Sequence, residues 1–477
     1  MDAKEISSIF DSAEIIETHI SIVCLLEDKV YKFKKPVDFG FLDFSTLDKR
    51  LFYCKEELRL NKRLSPDLYE GLVAITKDHK IKDIDGSDDE SEDVLEYGIR
   101  MKRMPEDALL SKNPENITPE LMHRMVDILL SFYSVVDSDE RIHEYGKIES
   151  FRKNTDENFQ QTEDMRDLIS KEDLEMIRRK VESFYSCRYL FEERLSRVFE
   201  GHGDLHTGNI FVTDDIYIFD CIEFNERMRN ADIACDIAFL CMDLDYLGFS
   251  ELSRQFLHEF VRRSNDWGIL NVMNFYKCYR AYVRGKIEGF QGSAKARKYF
   301  GMAKEYARRI HYRYQDFSRP TVIIMCGLPG SGKSYIARWL AAFFDIPVYS
   351  TDKERKKMSF EGGRYTRENR DLVYERLFEL AEKEIEAGRS CILDGSFIHK
   401  EHRSRFENSV IVHPVISDEE AYERLKRRKG NLSDARIKEY EILKKEAEDI
   451  SADVMVNGTD PLNYEGAYLL LAKKHLK

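Results

Sequence analysis

The sequence predicts two successive folding units, an α+β domain of two lobes and then an α/β domain with a mostly parallel sheet. The length of 477 residues exceeds a single core at roughly 150 residues per domain. Strand-like runs dominate residues 18–104, whereas residues 105–316 are mostly helical in pattern. From TVIIMCG onward, strands and helices alternate, which is typical of a parallel sheet covered by helices. We place the boundary near Arg319-Pro320, which gives domains 1–318 and 319–477.

The first domain divides into a small lobe, about residues 1–104, and a helical lobe, about residues 105–318. The helical pattern of the second lobe is interrupted by the strand pair NIFVTDDIYIFD. In the small lobe, the acidic segment DIDGSDDESED could be a docking patch, but a solvated loop between two strands is the favoured interpretation. The predicted elements there are two strands in HISIVCLLEDKVYKFKKP joined at Glu27-Asp28, a helix in LDKRLFYCKEELRLNKRL, and strands in GLVAITKD and LEYGIRMKRM.

Composition narrows the class of protein. The net charge of -13 argues against general binding to nucleic acid, because phosphate backbones attract basic surfaces. The nine cysteines include no C-x-x-C pair, which suits reduced thiols in a cytoplasm. No segment approaches the roughly 20 apolar residues that span a bilayer, and the first residues lack a secretory pattern. We therefore expect a cytoplasmic protein without a membrane segment; its oligomeric state does not follow from the sequence.

The stretch GLPGSGKS fits the phosphate-binding pattern G-x-x-x-x-G-K-[ST] in full. An apolar strand-like run leads in and the helical run YIARWLAAFF leads out, which is the context that this loop requires. Its glycines allow backbone N–H groups to surround a phosphate. Lys333 is predicted to neutralise the β- and γ-phosphates of ATP and to act in catalysis, and Ser334 to bind Mg²⁺. The predicted nucleotide-binding residues are Gly327, Leu328, Pro329, Gly330, Ser331, Gly332, Lys333 and Ser334.

Further polar residues follow the strands of this second domain. Asp352, after the next predicted strand, is a candidate base for an acceptor hydroxyl, and Arg355 is placed to hold an anionic part of that acceptor. Asp394 ends another apolar strand and is a candidate for holding the hydration shell of Mg²⁺. Arginines in ERLKRRKG suggest a lid over the transferring phosphate, although a solvated helix face explains them equally well. These lid candidates are Arg424, Arg427 and Arg428.

Residues 320–477 resemble small P-loop kinases that act on hydroxyl acceptors, such as gluconate kinase and the kinase module of polynucleotide kinase. The shared pattern is the P-loop, Asp-x-x-Arg after the second strand, and arginines in a lid. This resemblance implies an α/β P-loop NTPase fold with ATP and Mg²⁺ as cofactors.

The stretch GHGDLHTGNIFV in the first domain allows two interpretations. His202, Asp204 and His206 would suit a metal cluster. Alternatively, Asp204 and Asn209 stand in the spacing D-x-x-x-x-N of a phosphotransferase loop, in which the aspartate accepts the hydroxyl proton and the asparagine binds Mg²⁺. The hairpin that follows ends at Asp220, which is expected to lie beside Asn209. Its carboxylate oxygens are hard ligands of the kind that Mg²⁺ prefers, and this favours the second interpretation.

A phosphate-binding lysine is expected upstream, on the strand KVYKFK. Val30, Lys32 and Lys34 share one face of this strand, so either lysine could pair the α- and β-phosphates. Glu57 on the following helix is the predicted ion partner of that lysine.

These residues resemble the aminoglycoside phosphotransferase and choline kinase superfamily, whose loop is H-G-D-x-H-x-x-N. The resemblance covers roughly residues 15–310 and implies a bilobal, protein-kinase-like α+β fold. It also implies Asp204 as base, Asn209 and Asp220 as Mg²⁺ ligands, Lys32 as the phosphate lysine and Asp236 as a brace of the loop. The histidines then shape the loop. The chain departs from the family in having no glycine-rich loop before KVYKF, and in Cys-Ile-Glu223 where protein kinases have Phe-Gly after the aspartate.

The sequence thus predicts a bifunctional ATP- and Mg²⁺-dependent phosphotransferase whose two domains each act on a hydroxyl of a small molecule. One alternative is a degenerate kinase domain that senses a ligand and controls a P-loop ATPase. A second alternative is a kinase for nucleic-acid 5′-hydroxyls, which the acidic charge disfavours. On the helix FYKCYRAYVRGKIEGF, Arg280 and Arg284 are candidates for an acceptor pocket or for a packed helix surface.

Overall fold

The computed structural model separates the chain into two compact units, residues 1–310 and 311–477. The acidic segment at residues 85–92, Arg428 and the side chain of Arg427 fall outside the described part of the chain. The structure describes residues 1–10, 13–40, 42–84, 93–310, 319–344, 346–360, 366–427, 437–458, 467 and 471.

The small lobe is built on an antiparallel sheet with the strand order β1-β2-β3-β6-β4-β5. The turn predicted at Glu27-Asp28 joins β2 to β3, as expected. The described residues of this lobe form the helices α1 (Ala3–Ser7) and α2 (Leu47–Asn61). The strands are β1 (Glu14–Glu17), β2 (Ser21–Leu25), β3 (Lys29–Lys34), β4 (Tyr69–Thr76), β5 (Ile81–Ile84) and β6 (Val94–Lys102).

Helix α2 lies against this sheet and carries a charged residue into the interior. Its first turn is capped by Thr46, whose side chain accepts a hydrogen bond from the Lys49 N–H at 3.3 Å. Cys54 packs with apolar residues of β4 and β6, and Glu57 on the same buried face is fully enclosed. A buried carboxylate needs compensating cations, so Glu57 is expected to have positively charged partners inside this lobe.

The helical lobe surrounds the almost entirely buried helix α9. The predicted strand pair is present as β8 (Ile210–Val212) and β9 (Ile216–Ile218), and a further pair joins β7 (Val198–Glu200) to β10 (Asn230–Asp232). The helices are α3 (Pro119–Val135), α4 (Glu140–His143), α5 (Ile148–Gln161), α6 (Lys171–Tyr185), α7 (Arg188–Glu192), α8 (Glu226–Arg229), α9 (Ile233–Leu247), α10 (Ser250–Ser264), α11 (Ile269–Phe290) and α12 (Lys295–Arg308).

The second unit contains a parallel sheet with the strand order β12-β13-β11-β14-β15. This arrangement confirms the predicted α/β class, and the P-loop connects β11 to α13. The strands are β11 (Val322–Met325), β12 (Val348–Ser350), β13 (Cys391–Asp394), β14 (Ser409–Val415) and β15 (Val454–Asn457). The helices are α13 (Lys333–Phe344), α14 (Thr351–Lys357), α15 (Arg367–Glu386), α16 (Lys400–Arg403), α17 (Asp418–Arg427) and α18 (Ile437–Glu446).

Within the described ranges, no helix is both long and apolar enough to cross a membrane.

Candidate active sites

Lys32 on β3 stands between two carboxylates in the first unit. Its Nζ lies 2.8 Å from Oε1 of Glu57 and 2.7 Å from Oδ1 of Asp220. Burial alone would lower the pKa of Lys32, but Asp220 and Glu57 raise it well above its ordinary value. Lys32 is therefore a fixed cation between α2 and the segment that follows β9.

Lys34 lies on the same face of β3 but deeper. Its Nζ is 2.7 Å from the second oxygen of Glu57, it also contacts Glu223, and its side chain is only 1% exposed. The ammonium group further lies 4.8 Å from the ring centre of Phe44. Glu57 thus bridges both lysines, and Lys32 is the one that borders Asp220.

The loop at residues 202–209 brings Asp204 and Asn209 together. The Asn209 side-chain amide donates to Oδ2 of Asp204 at 2.9 Å and to its backbone oxygen at 3.0 Å. Both ring nitrogens of His202 are used inside the loop: Nδ1 accepts from the Asp204 N–H at 3.2 Å, and Nε2 donates to the Phe219 carbonyl at 3.0 Å. His202 therefore shapes the loop, and its geometry does not suit a metal ligand. Burial lowers the pKa of His202, which matches this neutral form.

His206 stands directly beside Asp204. Its Nδ1 accepts from the Gly208 N–H at 3.0 Å, and its Nε2 lies 3.4 Å from Oδ2 of Asp204. Burial acts to lower the pKa of His206, but the neighbouring carboxylate more than offsets this and raises it. In turn, burial would raise the pKa of Asp204, but His206 together with Arg284 outweighs burial and holds this pKa below its ordinary range. Asp204 consequently stays ionised.

Two carboxylates on α9 hold the loop backbone in place. Asp236 accepts from the N–H groups of His202 and Gly203, at 2.7 and 3.0 Å, and from the Tyr133 hydroxyl at 2.8 Å. A β-carbon on Gly201 would lie only 2.5 Å from Asp236, so this approach requires glycine. Asp243 acts in the same way further along the loop, accepting from the backbone N–H and the hydroxyl of Thr207.

The two arginines of α11 have different surroundings. Arg280 is buried, with Nη2 3.6 Å from Asp236 and its guanidinium 4.7 Å from the ring centre of Phe239, so it packs inside the lobe. Arg284 is partly exposed and pairs with Glu288 at 3.0 Å. Arg280 thus lies beside Asp236, the residue that the family resemblance implied as a support of the loop backbone.

Asp220 has a backbone conformation that is rare for residues other than glycine, with φ at 62°. Its N–H donates to the Tyr69 hydroxyl at 3.2 Å, and the neighbouring Phe219 N–H donates to the Asn209 carbonyl at 3.0 Å. These bonds aim the Asp220 carboxylate at Lys32, beside the loop that carries Asp204. Strained backbone held in this way is typical of functional sites.

In the second unit, the turns of the P-loop are formed by glycines with positive φ. Gly327, Gly330 and Gly332 have φ values of 134°, 90° and 96°, which other residues rarely adopt. Lys333 opens α13, and its Nζ donates to the Leu328 carbonyl across the loop at 2.9 Å. Ser334 hydrogen-bonds Asp394 at the end of β13. Burial raises the pKa of Asp394 although the nearby Lys333 acts to lower it.

Asp352 and Arg355 pair with each other, at 2.8 Å between Nη1 and Oδ1. Asp352 lies in the first turn of α14, two residues beyond the end of strand β12, where the sequence analysis had placed it at the strand end. Arg424 on α17 donates to the carbonyls of Gly330 at 3.3 Å and Gly458 at 2.9 Å, so it contacts the P-loop itself. Arg427 ends the same helix, and its side chain lies outside the description.

Several residues of the first site were not singled out from the sequence. Tyr69, Arg63, Thr207 and Asp243 act through contacts between residues far apart in the chain, such as the 151 positions between Tyr69 and Asp220. Asn61 is a further example, since its Oδ1 accepts from the Cys221 N–H at 2.9 Å. No short motif could have identified them.

Models of two protein families match the chain, one in each unit. Residues 56–272 match the model of the phosphotransferase enzyme family, and residues 322–447 match the model of an AAA domain. The two matches fall in the first and the second unit in turn, and they confirm the predicted order of a phosphotransferase-like domain followed by a P-loop, kinase-like domain. It is 29% identical over 406 residues to uncharacterized proteins of Mycobacterium bovis and Mycobacterium tuberculosis, covering 80% of this chain and 78% of theirs.

Solved structures similar to this chain include a choline kinase from Cryptosporidium parvum, with a TM-score of 0.40 and 11% identity over 64% of this chain and 90% of that one. Another is a gluconokinase from Sinorhizobium meliloti, with a TM-score of 0.27 and 18% identity over 34% of this chain and 95% of that one.

Proposed function

We propose that the protein is a bifunctional kinase in which each domain transfers the γ-phosphoryl group of ATP to a hydroxyl of a small-molecule acceptor. In the first domain, Asp204 accepts the hydroxyl proton as the acceptor oxygen attacks. Lys32, held by Glu57, neutralises the α- and β-phosphates. Such catalysis consists of positioning and charge neutralisation, with little covalent chemistry for the protein.

The observation that carries this proposal is the convergence of Lys32, Asp220 and Asp204 from distant parts of the chain. Lys32 contacts Asp220 at 2.7 Å. Asp220 follows strand β9, whose partner β8 begins directly after Asn209, and Asn209 contacts Asp204. A cation, a metal-binding carboxylate and an ionised base at one site are the parts that phosphoryl transfer requires.

The residues present suit Mg²⁺. Asn209 offers an amide oxygen, and Asp220 offers a carboxylate that is 45% exposed; both are hard donors of the kind that Mg²⁺ prefers. Bound there, Mg²⁺ would neutralise charge on the β- and γ-phosphates. In the second domain, Ser334 and Asp394 would hold the ion or its hydration shell.

In the second domain we propose that Lys333 neutralises the transferring phosphoryl group and that Asp352 takes the acceptor proton. Arg355, which contacts Asp352, would hold an anionic part of the acceptor. Arg424 and Arg427 would complete the nucleotide site, with Arg424 supporting the P-loop through the Gly330 carbonyl. An intracellular, reducing location belongs to the same proposal, because Cys24 and Cys278 are buried as free thiols, away from other cysteines.

Phosphorylation of a metabolite extract with γ-labelled ATP tests the proposal. The full chain is compared with Asp204→Asn and Lys333→Ala, each of which should remove one labelled product and leave the other. If neither substitution changes any product, both site assignments fail. If only Lys333→Ala removes a product, the result favours the alternative in which the first domain senses a ligand. In a separate reaction, transfer of the label to an added 5′-hydroxyl oligonucleotide would favour the nucleic-acid alternative for the second domain.

A further inference from the structure

Arg63 lies just beyond the end of α2 and makes contacts with three different segments. Its Nε donates to the Leu60 carbonyl at 2.9 Å, which caps the helix. Its Nη1 donates to the Glu200 carbonyl at 2.7 Å, and its Nη2 to the Gly201 carbonyl at 2.9 Å. Nη2 also lies 3.4 Å from Sγ of Cys221.

Each contacted segment leads directly to a residue of the proposed phosphoryl-transfer site. Gly201 stands three positions before Asp204, and Cys221 directly follows Asp220. Helix α2, which Arg63 caps, carries Glu57. The guanidinium group therefore contacts the segments that supply Glu57, Asp204 and Asp220.

The end of α2, the backbone at Glu200-Gly201 and the side chain of Cys221 meet at Arg63, and the chemistry of arginine suits this junction. A planar guanidinium group directs its N–H donors along fixed, diverging lines and can satisfy several carbonyl oxygens at once, whereas a lysine ammonium is a compact, flexible charge. Glu200 also accepts from Arg63, at 3.0 Å, and the ring of Phe132 lies 5.1 Å from the guanidinium carbon. The side chain is only 17% exposed, so it is held in this position.

Neighbouring bonds strengthen the same junction. Asn61 accepts from the Cys221 N–H, and the Ser65 hydroxyl donates to the Ile218 carbonyl at 2.7 Å. These two residues flank Arg63 in the sequence, so the chain that leaves α2 is bonded to both sides of the segment that carries Asp220.

We propose that Arg63 is a positioning residue for phosphoryl transfer, which sets the loop of Asp204 and the segment of Asp220 at a fixed distance from Glu57 and Lys32. The inference rests on the proposed function of the first domain. Because transfer depends on alignment within fractions of an ångström, a small shift of the loop should lower turnover far more than it lowers nucleotide affinity.

Arg59 provides a matched control on the same helix. It binds the Glu200 carboxylate at 2.8 and 3.0 Å, as Arg63 does, but its contacts are with side chains, Glu56 and Glu200, and its side chain is 46% exposed. Arg59→Met therefore removes a cation from the same carboxylate while leaving the bonds from Arg63 to the loop backbone.

The test uses the full chain with Lys333→Ala in every protein, so that the P-loop site is silenced. Mg·ATP binding and Mg·ATP hydrolysis, with water as acceptor, are measured for Arg63→Met, Arg63→Lys and Arg59→Met. We expect Arg63→Met to lose about tenfold or more in turnover with a dissociation constant changed by less than about threefold. Arg63→Lys should recover part of the loss, and Arg59→Met should stay within about twofold of the parent.

Hydrogen exchange of the loop amides, without nucleotide, supplies a second readout. Exchange over residues 201–209 should accelerate in Arg63→Met and not in Arg59→Met. Equal turnover in the two methionine variants would overturn the positioning role, and so would parallel losses of binding, turnover and global stability. A parent protein that binds no Mg·ATP would instead overturn the proposed function and this inference together.

Discussion

Replacement of Lys34 by methionine should destabilise the first domain more than the same replacement of Lys32. Lys34 is 1% exposed and joins Glu57 to Glu223, a carboxylate that is only 5% exposed. Without Lys34, Glu223 loses the ammonium group that contacts it, and an uncompensated buried charge costs about 3–5 kcal/mol. Lys32 also pairs with Glu57, but Glu57 keeps Lys34 when Lys32 is replaced. The other partner, Asp220, is 45% exposed and can be rehydrated, so Lys32→Met should cost about 1 kcal/mol or less.

Urea unfolding followed by tryptophan fluorescence measures this difference. The chain has two tryptophans, Trp267 in the first unit and Trp339 in the second, so a Trp339→Phe background leaves a reporter of the first unit alone. The free energies of unfolding of the two lysine variants should differ by at least about 2 kcal/mol. The double variant Lys34→Met/Glu223→Gln should regain part of the loss, because the unpaired charge is removed.

The affinity for nucleotide should show the opposite order. Lys32 borders Asp220 and should contribute more to binding of Mg·ATP, measured with Lys333→Ala present to silence the second site. Two results would refute this division of roles between the two lysines. One is a Lys34→Met variant that is as stable as the parent, and the other is a Lys32→Met variant that binds Mg·ATP as tightly as the parent.

Further predictions concern the loop and the P-loop. The His206 ring should titrate in NMR with a midpoint above 6.5, since the Asp204 carboxylate raises its pKa in the fold, and the midpoint should fall in Asp204→Asn. The stabilisation from the His206–Asp204 ion pair should be fully present below pH 6.5 and lost as pH rises through that midpoint, whereas the Gly208 N–H bond to Nδ1 belongs to the neutral ring. An unchanged midpoint would contradict the contact. Gly330→Ala should weaken nucleotide binding to the second site by about 1–2 kcal/mol, because φ is 90° and the backbone of Ala421 lies 3.2 Å from the added methyl position; calorimetry that finds no change would exclude strain there. Arg424→Ala should lower the same affinity by about 1 kcal/mol by releasing the Gly330 carbonyl, and Lys426→Ala on the exposed side of α17 serves as the control.

The parts of the fold that the sequence predicted are those encoded by local patterns. The P-loop lies between a strand and a helix as GLPGSGKS requires, and the hairpin after Asn209 follows from alternating apolar residues. Both depend on neighbouring residues, so a short window of sequence contains the information. The strand order of either sheet is a long-range property and was not predicted.

The choice between Lys32 and Lys34 is one that a local sequence pattern cannot make. The two lysines lie two positions apart on β3 and so share one face, which alternation cannot resolve. Their environments differ because Glu223 and Phe44 enclose Lys34 while Asp220 meets Lys32. Helix α2 was predicted from its apolar residues, but the enclosed Glu57 makes its buried face partly polar.

Arg63 and Arg280 show the same limit for arginines. The sequence analysis did not single out Arg63, and it left Arg280 open between an acceptor pocket and a packed helix surface. The fold places both beside the loop that carries Asp204, Arg280 buried and Arg63 partly buried, through contacts that join residues more than 40 positions apart.

The most direct test of two independent nucleotide sites is the stoichiometry of Mg·ATP binding to the full chain. Isothermal titration should give two sites for the wild type and one for Lys333→Ala, and also one for Lys32→Met. The double variant should bind no Mg·ATP. A wild type with a single site that disappears in Lys333→Ala would contradict the account, because the domain that carries Asp204 would then hold no nucleotide.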